Sequence, residues 1–152
     1  PFGYGLSYGT TTVSAPRLDK ATAKAEDTVK VVVSVTNSGR MAVRETVQVY
    51  VNDVIASRSR PSRELKGYAQ VDLAPGETRE VAVPIRIATL GFHVEDGSYV
   101  VEPGTFRVFA GKDATAEAFT DLEVTSGSKV PPWAAPIPCV NRDEAAKPGK
   151  RP

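Results

Sequence analysis

The feature that most constrains this chain is a two-residue rhythm. Val29, Val31, Val33 and Val35 alternate with Lys30, Val32, Ser34 and Thr36. Successive side chains of a strand point to opposite faces, so such a run turns one row toward a core and the other outward. The rhythm recurs four times. Val47, Val49 and Val51 alternate with Gln48 and Tyr50; Val81, Val83, Ile85 and Ile87 alternate with Ala82, Pro84 and Arg86. Phe106, Val108 and Ala110 alternate with Arg107 and Phe109; Leu122 and Val124 alternate with Asp121, Glu123 and Thr125. Residues 10–18 carry enough β-branched side chains to begin the set.

Turn chemistry falls between these runs. Asn37-Ser38-Gly39 offers positive φ, Pro75-Gly76 and Pro103-Gly104 suit type II turns, and Asp96-Gly97 is a short hairpin signal. Pro84 inside a strand pattern predicts an edge strand or a bulge, because proline has no N–H to give a ladder. Residues 21–27 hold helix formers for one or two turns without an apolar stripe, so a loop between strands is expected there. Six or seven short strands and no helical pattern predict an all-β chain, an antiparallel two-sheet sandwich. Hydrophobic residues make up 41% of the chain, enough for one core of roughly 120 residues.

The chain divides near residue 125. Residues 126–152 hold six of the twelve prolines and five basic residues against two acidic ones, with neither rhythm. An irregular, extended or disordered tail is expected there, with Trp133, Ile137 and Val140 as its sizeable apolar groups. Pro1 opens the chain and Met41 is its one methionine, so a fragment, a processed product or an excised piece is expected. Residues 1–8 show no signal-peptide pattern.

Composition excludes several functions. A net charge of +1 gives no global electrostatic case for nucleic acid or an acidic membrane. No apolar run reaches the roughly 18 residues of a membrane span. One cysteine, Cys139, and one histidine, His93, exclude a disulfide framework and multi-Cys or His-His metal sites, so no cofactor is expected.

Catalytic motifs fail on context. Gly5-Leu6-Ser7-Tyr8-Gly9 fits the G-x-S-x-G nucleophile elbow, but only four residues precede it and Thr10-Thr11-Thr12-Val13 disfavours the helix that must follow. Glu95 and Asp96 are adjacent, so on a strand they face opposite ways and cannot flank one glycosidic bond. Glu102 and Asp113 fall at turns. Gly111-Lys112 resembles the end of a phosphate loop, but Phe106 stands where its first glycine belongs and Asp113 where a hydroxyl is required. His93 is a rim or satisfied core residue, and Cys139 a free thiol. Arg58, Arg60, Arg63 and Lys66 crowd the long loop after Val51. They form either a solvated loop or an ion-paired docking surface, since arginine suits bidentate pairing with carboxylates.

Several segments in order carry a resemblance. They are Pro1-Phe2-Gly3-Tyr4-Gly5-Leu6-Ser7-Tyr8, Val35-Thr36-Asn37-Ser38-Gly39 and Glu45-Thr46-Val47-Gln48-Val49-Tyr50-Val51. Arg60-Pro61-Ser62-Arg63-Glu64-Leu65-Lys66-Gly67-Tyr68, Leu73-Ala74-Pro75-Gly76-Glu77 and Val101-Glu102-Pro103-Gly104-Thr105-Phe106 follow, with Ala110-Gly111 last. Together they resemble the C-terminal fibronectin type III-like domain of family 3 glycoside hydrolases, the β-glucosidase and β-xylosidase family, over residues 1–125. The resemblance implies a fibronectin type III-like, immunoglobulin-like sandwich over residues 10–125. It makes residues 1–9 a connector from an upstream catalytic domain, and residues 126–152 have no counterpart in it. The nucleophile aspartate and acid/base glutamate of that family belong to upstream domains, and no position here matches their motifs. The chain then resembles an accessory module that braces catalytic domains and does no chemistry alone, in a secreted or periplasmic setting.

Bracing has a physical form. Phe2, Tyr4, Leu6 and Tyr8 alternate, so an extended connector would show all four on one face. Arg60, Pro61, Glu64, Leu65 and Lys66 would add charged hydrogen bonds to carboxylates of the catalytic domains. Two rivals are a carbohydrate-binding module using Tyr50, Phe109 and Trp133 as a platform, and an adhesion or protein-interaction sandwich.

Overall fold

The computed structural model describes residues 1–6, 9–131 and 134. The valine-rich run at its centre is strand β4, Thr28–Asn37. It pairs antiparallel with β7, Thr78–Arg86, along residues 28–36. Its other edge is shared in series by β1, Thr11–Val13, and β2, Arg17–Leu18. The second sheet runs β3, β11, β10, β5, β6. Those strands are Thr22–Lys24, Phe119–Ser126, Gly104–Gly111, Val43–Asp53 and Glu64–Leu73. A small third sheet joins β12, Ser128–Val130, to β9, Tyr99–Val101, and β8, Phe92–His93. One 3-10 turn, Ile87–Leu90, links β7 to β8.

The two large sheets meet on the faces the alternation assigns. Val29, Val31, Val33, Val35, Val81, Val83 and Ile85 come from one sheet; Val47, Val49, Val51, Phe106, Val108, Leu122 and Val124 come from the other. Each fully buried aliphatic side chain contributes about 1.5–3 kcal/mol relative to an exposed one, so this layer holds the sandwich together. Ile87 and Leu90 of the 3-10 turn, with Tyr99 and Val101 of β9, join the same core.

Turns follow the sequence in part. Glu77 N–H donates to Ala74 O across Pro75-Gly76, with Gly76 at φ 74°, the turn that dipeptide predicts. Asp96-Gly97 closes the β8–β9 hairpin with Gly97 at φ 79°. Pro84 sits on β7, whose one partner among the described residues is β4, so the edge expectation holds.

Other expectations need correction. Gly39 keeps ordinary φ, because the buried Asn37 side chain closes that turn instead. Its Oδ1 accepts from Gly39 N–H at 2.9 Å, and its Nδ2 donates to Met41 O at 2.8 Å and Ala74 O at 3.1 Å. Gly104 has φ 152° and opens β10 rather than turning as type II. Residues 21–27 are not all loop: β3 adds to β11 in parallel, the one parallel pair in the described strands, and Ala23 and Ala25 enter the core. Small residues suffice there because the strand lies at the sheet's margin. Order also continues past 125, since β11 ends at Ser126 and β12 pairs with β9. Trp133, Ile137, Cys139 and Val140 of the expected tail lie outside the described residues.

Candidate functional site

Strands β5 and β10 are buried on both faces, which alternation alone does not predict. Their inner residues form the core; their outer residues Gln48, Tyr50 and Phe109 are also buried, yet Tyr50 and Phe109 do not belong to the core between the sheets. Strand pairing places Phe119, Phe109, Tyr50 and Leu65 opposite one another, one from each of four adjacent strands. They make an apolar row across the outer face. Its middle is covered and its ends, Phe119 and Leu65, are open.

Two chain segments make the cover. Arg63 lies 4.0 Å above the Phe109 ring, and its Nη1 donates to Ala114 O and Ala116 O at 2.5 Å each. The loop after β10 is thereby drawn over the sheet. Gly111 permits this, since a Cβ there would stand 2.5 Å from the Ala116 Cβ. Phe119 packs 5.6 Å from Phe109, and Arg107 covers its other side at 4.0 Å while pairing with Asp121. Cations over ring faces gain from the ring quadrupole, so both arginines act as lids as well as charges.

The second cover is the N-terminal segment. It does not run extended from its start, as the alternation of Phe2, Tyr4 and Leu6 led us to expect. Tyr4 N–H donates to Pro1 O at 3.2 Å around Gly3 at φ 80°, so the chain opens with a turn. The main chain of that turn is fastened to the sheet. Ala114 N–H donates to Phe2 O at 3.0 Å, and the Tyr50 hydroxyl oxygen lies 3.2 Å from the same carbonyl. Gln48 Nε2 donates to Gly3 O at 3.0 Å and to Lys112 O at 2.5 Å, while the Tyr50 hydroxyl donates its proton to Gln48 Oε1 at 2.6 Å. Burial pushes the Tyr50 phenol above its ordinary value; the Asp113 carboxylate adds to this and Arg63 opposes it. The hydroxyl therefore stays a neutral donor.

With the backbone held inward, the side chains point away. Phe2, Tyr4 and Leu6 are 70%, 62% and 92% exposed. Beside them is a cleft of about 530 Å³ lined by Tyr4, Leu6, Arg44, Gln48, Lys112 and Asp113. Glu45 at its floor is buried and takes a hydrogen bond from the Thr11 hydroxyl, and Lys112 Nζ donates to Thr11 O at 3.0 Å. Ser7 and Tyr8 lie outside the described residues.

The arginine-rich stretch behaves otherwise than expected. Glu64, Leu65 and Lys66 begin β6 and are not loop. Arg60 and Lys66 meet Glu64 of their own chain, at 2.9 and 2.6 Å, rather than presenting free charge to a partner's carboxylates. Arg60 also donates to Leu90 O at 3.1 Å and lies 4.9 Å over Phe92; Lys66 donates to Thr89 O at 2.9 Å. The cluster staples residues 54–63 to β6 and the 3-10 turn. Burial pushes the Glu64 carboxyl up, but Lys66 and Arg60 together outweigh it and hold it below its ordinary value. Pro61 is exposed, as are Val54 and Ile55 at the loop tip.

The remaining candidates are placed plainly. Glu95 pairs with Arg58 at 2.6 Å, and Asp96 with Lys129 at 2.7 Å. Glu102 accepts from Ser57 N–H, and Asp113 caps Thr115. His93 is exposed, with Nδ1 3.1 Å from Gly97 O and its ring edge-on to Tyr99. Among the described residues no group of three or more His, Cys, Asp and Glu could hold a metal, and no helix is long and apolar enough to cross a membrane.

This sandwich is of one recognised class: residues 45–114 match the fibronectin type III-like domain family. Its relatives narrow the class. A periplasmic β-glucosidase of Salmonella typhimurium is 45% identical over 75% of this chain, and a β-xylosidase of Formosa agariphila 39% identical over 82%. The chain spans 15% and 17% of those proteins. Among solved structures, a β-glucosidase from Kluyveromyces marxianus superposes with a TM-score of 0.77 at 30% identity, over 86% of this chain and 15% of that one. The chain is a fibronectin type III-like domain of the type found in family 3 glycoside hydrolases.

Proposed function

We propose that this chain is the accessory structural domain of an exo-acting β-glucosidase or β-xylosidase, bracing that enzyme's catalytic domains and carrying no catalytic residue itself. Residues 1–9 form its connector, and the domain body runs from residue 10 through β12, which ends at Val130. The observation that carries the reading is the N-terminal turn. Its backbone is hydrogen-bonded to the sheet, yet Phe2, Tyr4 and Leu6 stand in water. Three adjacent large apolar groups held out on an ordered backbone suit a hydrophobic seam with a neighbouring domain. Leu65 and Pro61 add exposed surface, while Arg60, Glu64 and Lys66 support the seam by fixing the loop beneath it.

The chemistry supports the same division of labour. Glu95 and Asp96 each hold a cation of this chain, and neither faces the other across a cleft. A carbohydrate-binding role loses two of its three candidate platform residues, because Tyr50 and Phe109 are buried beneath Arg63 and the N-terminal turn. Sequence relationship to a periplasmic enzyme makes an extracytoplasmic setting the natural one to examine first.

The test is direct. The purified chain should show no turnover of aryl β-glucosides or β-xylosides above a blank, and no retention on insoluble cellulose or xylan. Turnover would overturn the accessory reading, and retention abolished by Tyr4→Ala would replace it with a sugar-binding one.

A further inference from the structure

We propose that Gln48 and Tyr50 are positioning residues: a two-residue clamp that fixes the path by which the chain enters the sandwich. What the clamp is for rests on the accessory-domain reading; that it exists does not. Four features converge on it. The two side chains lie on the outer face of β5, are 8% and 1% exposed, and are engaged with each other at 2.6 Å. Gln48 Nε2 donates to Gly3 O, and the Tyr50 hydroxyl, which orients that amide by donating to its Oε1, lies 3.2 Å from the preceding carbonyl, Phe2 O. Gln48 bridges Gly3 O to Lys112 O, so the segment and the loop after β10 are tied to one amide group. Gly3 completes the fit, since at φ 80° a Cβ would stand 2.0 Å from Gln48 Oε1 and 2.7 Å from Tyr50 Oη.

Main-chain carbonyls are a telling target. A clamp on side chains would bury Phe2 and Tyr4 and spend them inside the domain. A clamp on carbonyls sets direction while leaving every side chain of the segment for the partner. It also removes the ordering entropy that a loose connector would lose on docking, which is the advantage of preorganisation. Angular error at the clamp grows with distance from it, so two bonds beside Gly3 govern how the whole sandwich sits against the enzyme it braces.

The experiment uses the full chain and limited chymotrypsin digestion, with fragments beginning at Gly3, Gly5 or Ser7 identified by mass. When opening is fast, cleavage tracks the population of the open segment. Tyr50→Phe removes one donor and should speed cleavage after Tyr4 about fivefold; Gln48→Met removes two and should speed it about twentyfold. Amide exchange at Ala114 should accelerate in parallel, while exchange at Val33 and the urea midpoint stay at the parental values. Cleavage unchanged in both variants overturns the clamp. So does acceleration that merely follows loss of the urea midpoint, which is what a general structural role would give. Turnover of glycosides by the chain would sink the accessory reading and leave this result standing.

Discussion

The five-stranded sheet has two faces that are built in opposite ways. Its inner face is nearly uniform, an aliphatic layer whose partners are strands of the facing sheet. Its outer face is a row of Phe119, Phe109, Tyr50 and Leu65 roofed by arginines and by the main chain of residues 2–4. The inner face needs only volume and apolarity, so many sequences satisfy it. The outer face depends on particular hydrogen bonds, a cation over each phenylalanine and one glycine at φ 80°. Stability is concentrated in the first, and on the proposed bracing role the fit to a neighbour would rest on the second.

That contrast can be broken most directly at the inner face. Phe106→Ala should cost about 3–5 kcal/mol, read from urea unfolding, because the closely packed layer cannot collapse around the missing ring. A cost below 1 kcal/mol would mean the layer is not the source of stability. Next comes the cluster that staples the loop after β5 to β6 and the 3-10 turn. Arg60→Ala leaves Glu64 half-buried with Lys66 alone and should cost about 2–3 kcal/mol, below the roughly 3–5 kcal/mol of a fully buried pair because Lys66 still pairs with Glu64.

Acid sharpens the same point. The folded-state value of Glu64 is held below its ordinary 4.5, so its stabilisation is fully present above that value. It is lost as pH falls through the folded value. As pH falls from about 5 through the folded value the parent should therefore lose more stability than Glu64→Gln, read from urea unfolding at a series of pH values. Parallel pH curves would remove Glu64 from the account. The smallest effect belongs to the exposed ridge. Replacing Phe2, Tyr4 and Leu6 together by serine should change the urea midpoint of the chain by less than about 0.5 kcal/mol equivalent while lowering its binding of a hydrophobic dye. A large loss of stability would show those side chains to be spent within the domain.

The inner face was legible in the sequence because alternation and inward burial are one physical fact seen twice. Val29 through Val35 and Phe106 through Ala110 needed nothing beyond their spacing. The outer face was not legible, because Gln48, Tyr50 and Arg107 sit where solvent-facing residues belong. What covers them comes from elsewhere in the chain: Phe2 lies 48 residues from Tyr50, and Ala114 lies 51 from Arg63. The continuous burial of residues 47–51 is the one local hint, and a sequence without coordinates does not display it. Strand β3 escaped for a different reason. Ala23 and Ala25 are too small to mark a face by hydropathy, and β3 pairs in parallel, which no hairpin signal announces. Arg60, Glu64 and Lys66 were picked out by residue type, yet their partners were misplaced, because spacing alone cannot tell an internal ion triad from one offered outward.

Pro84 carries a consequence of its own. It stands in β7, a strand with one neighbour among the described residues, opposite Lys30, and its nitrogen has no hydrogen to offer. An incoming strand would find its ladder interrupted midway along that margin. Where the described strands leave that margin open, this one ring discourages copies from zippering side by side into fibrils, a safeguard needed most while the chain is newly made and crowded.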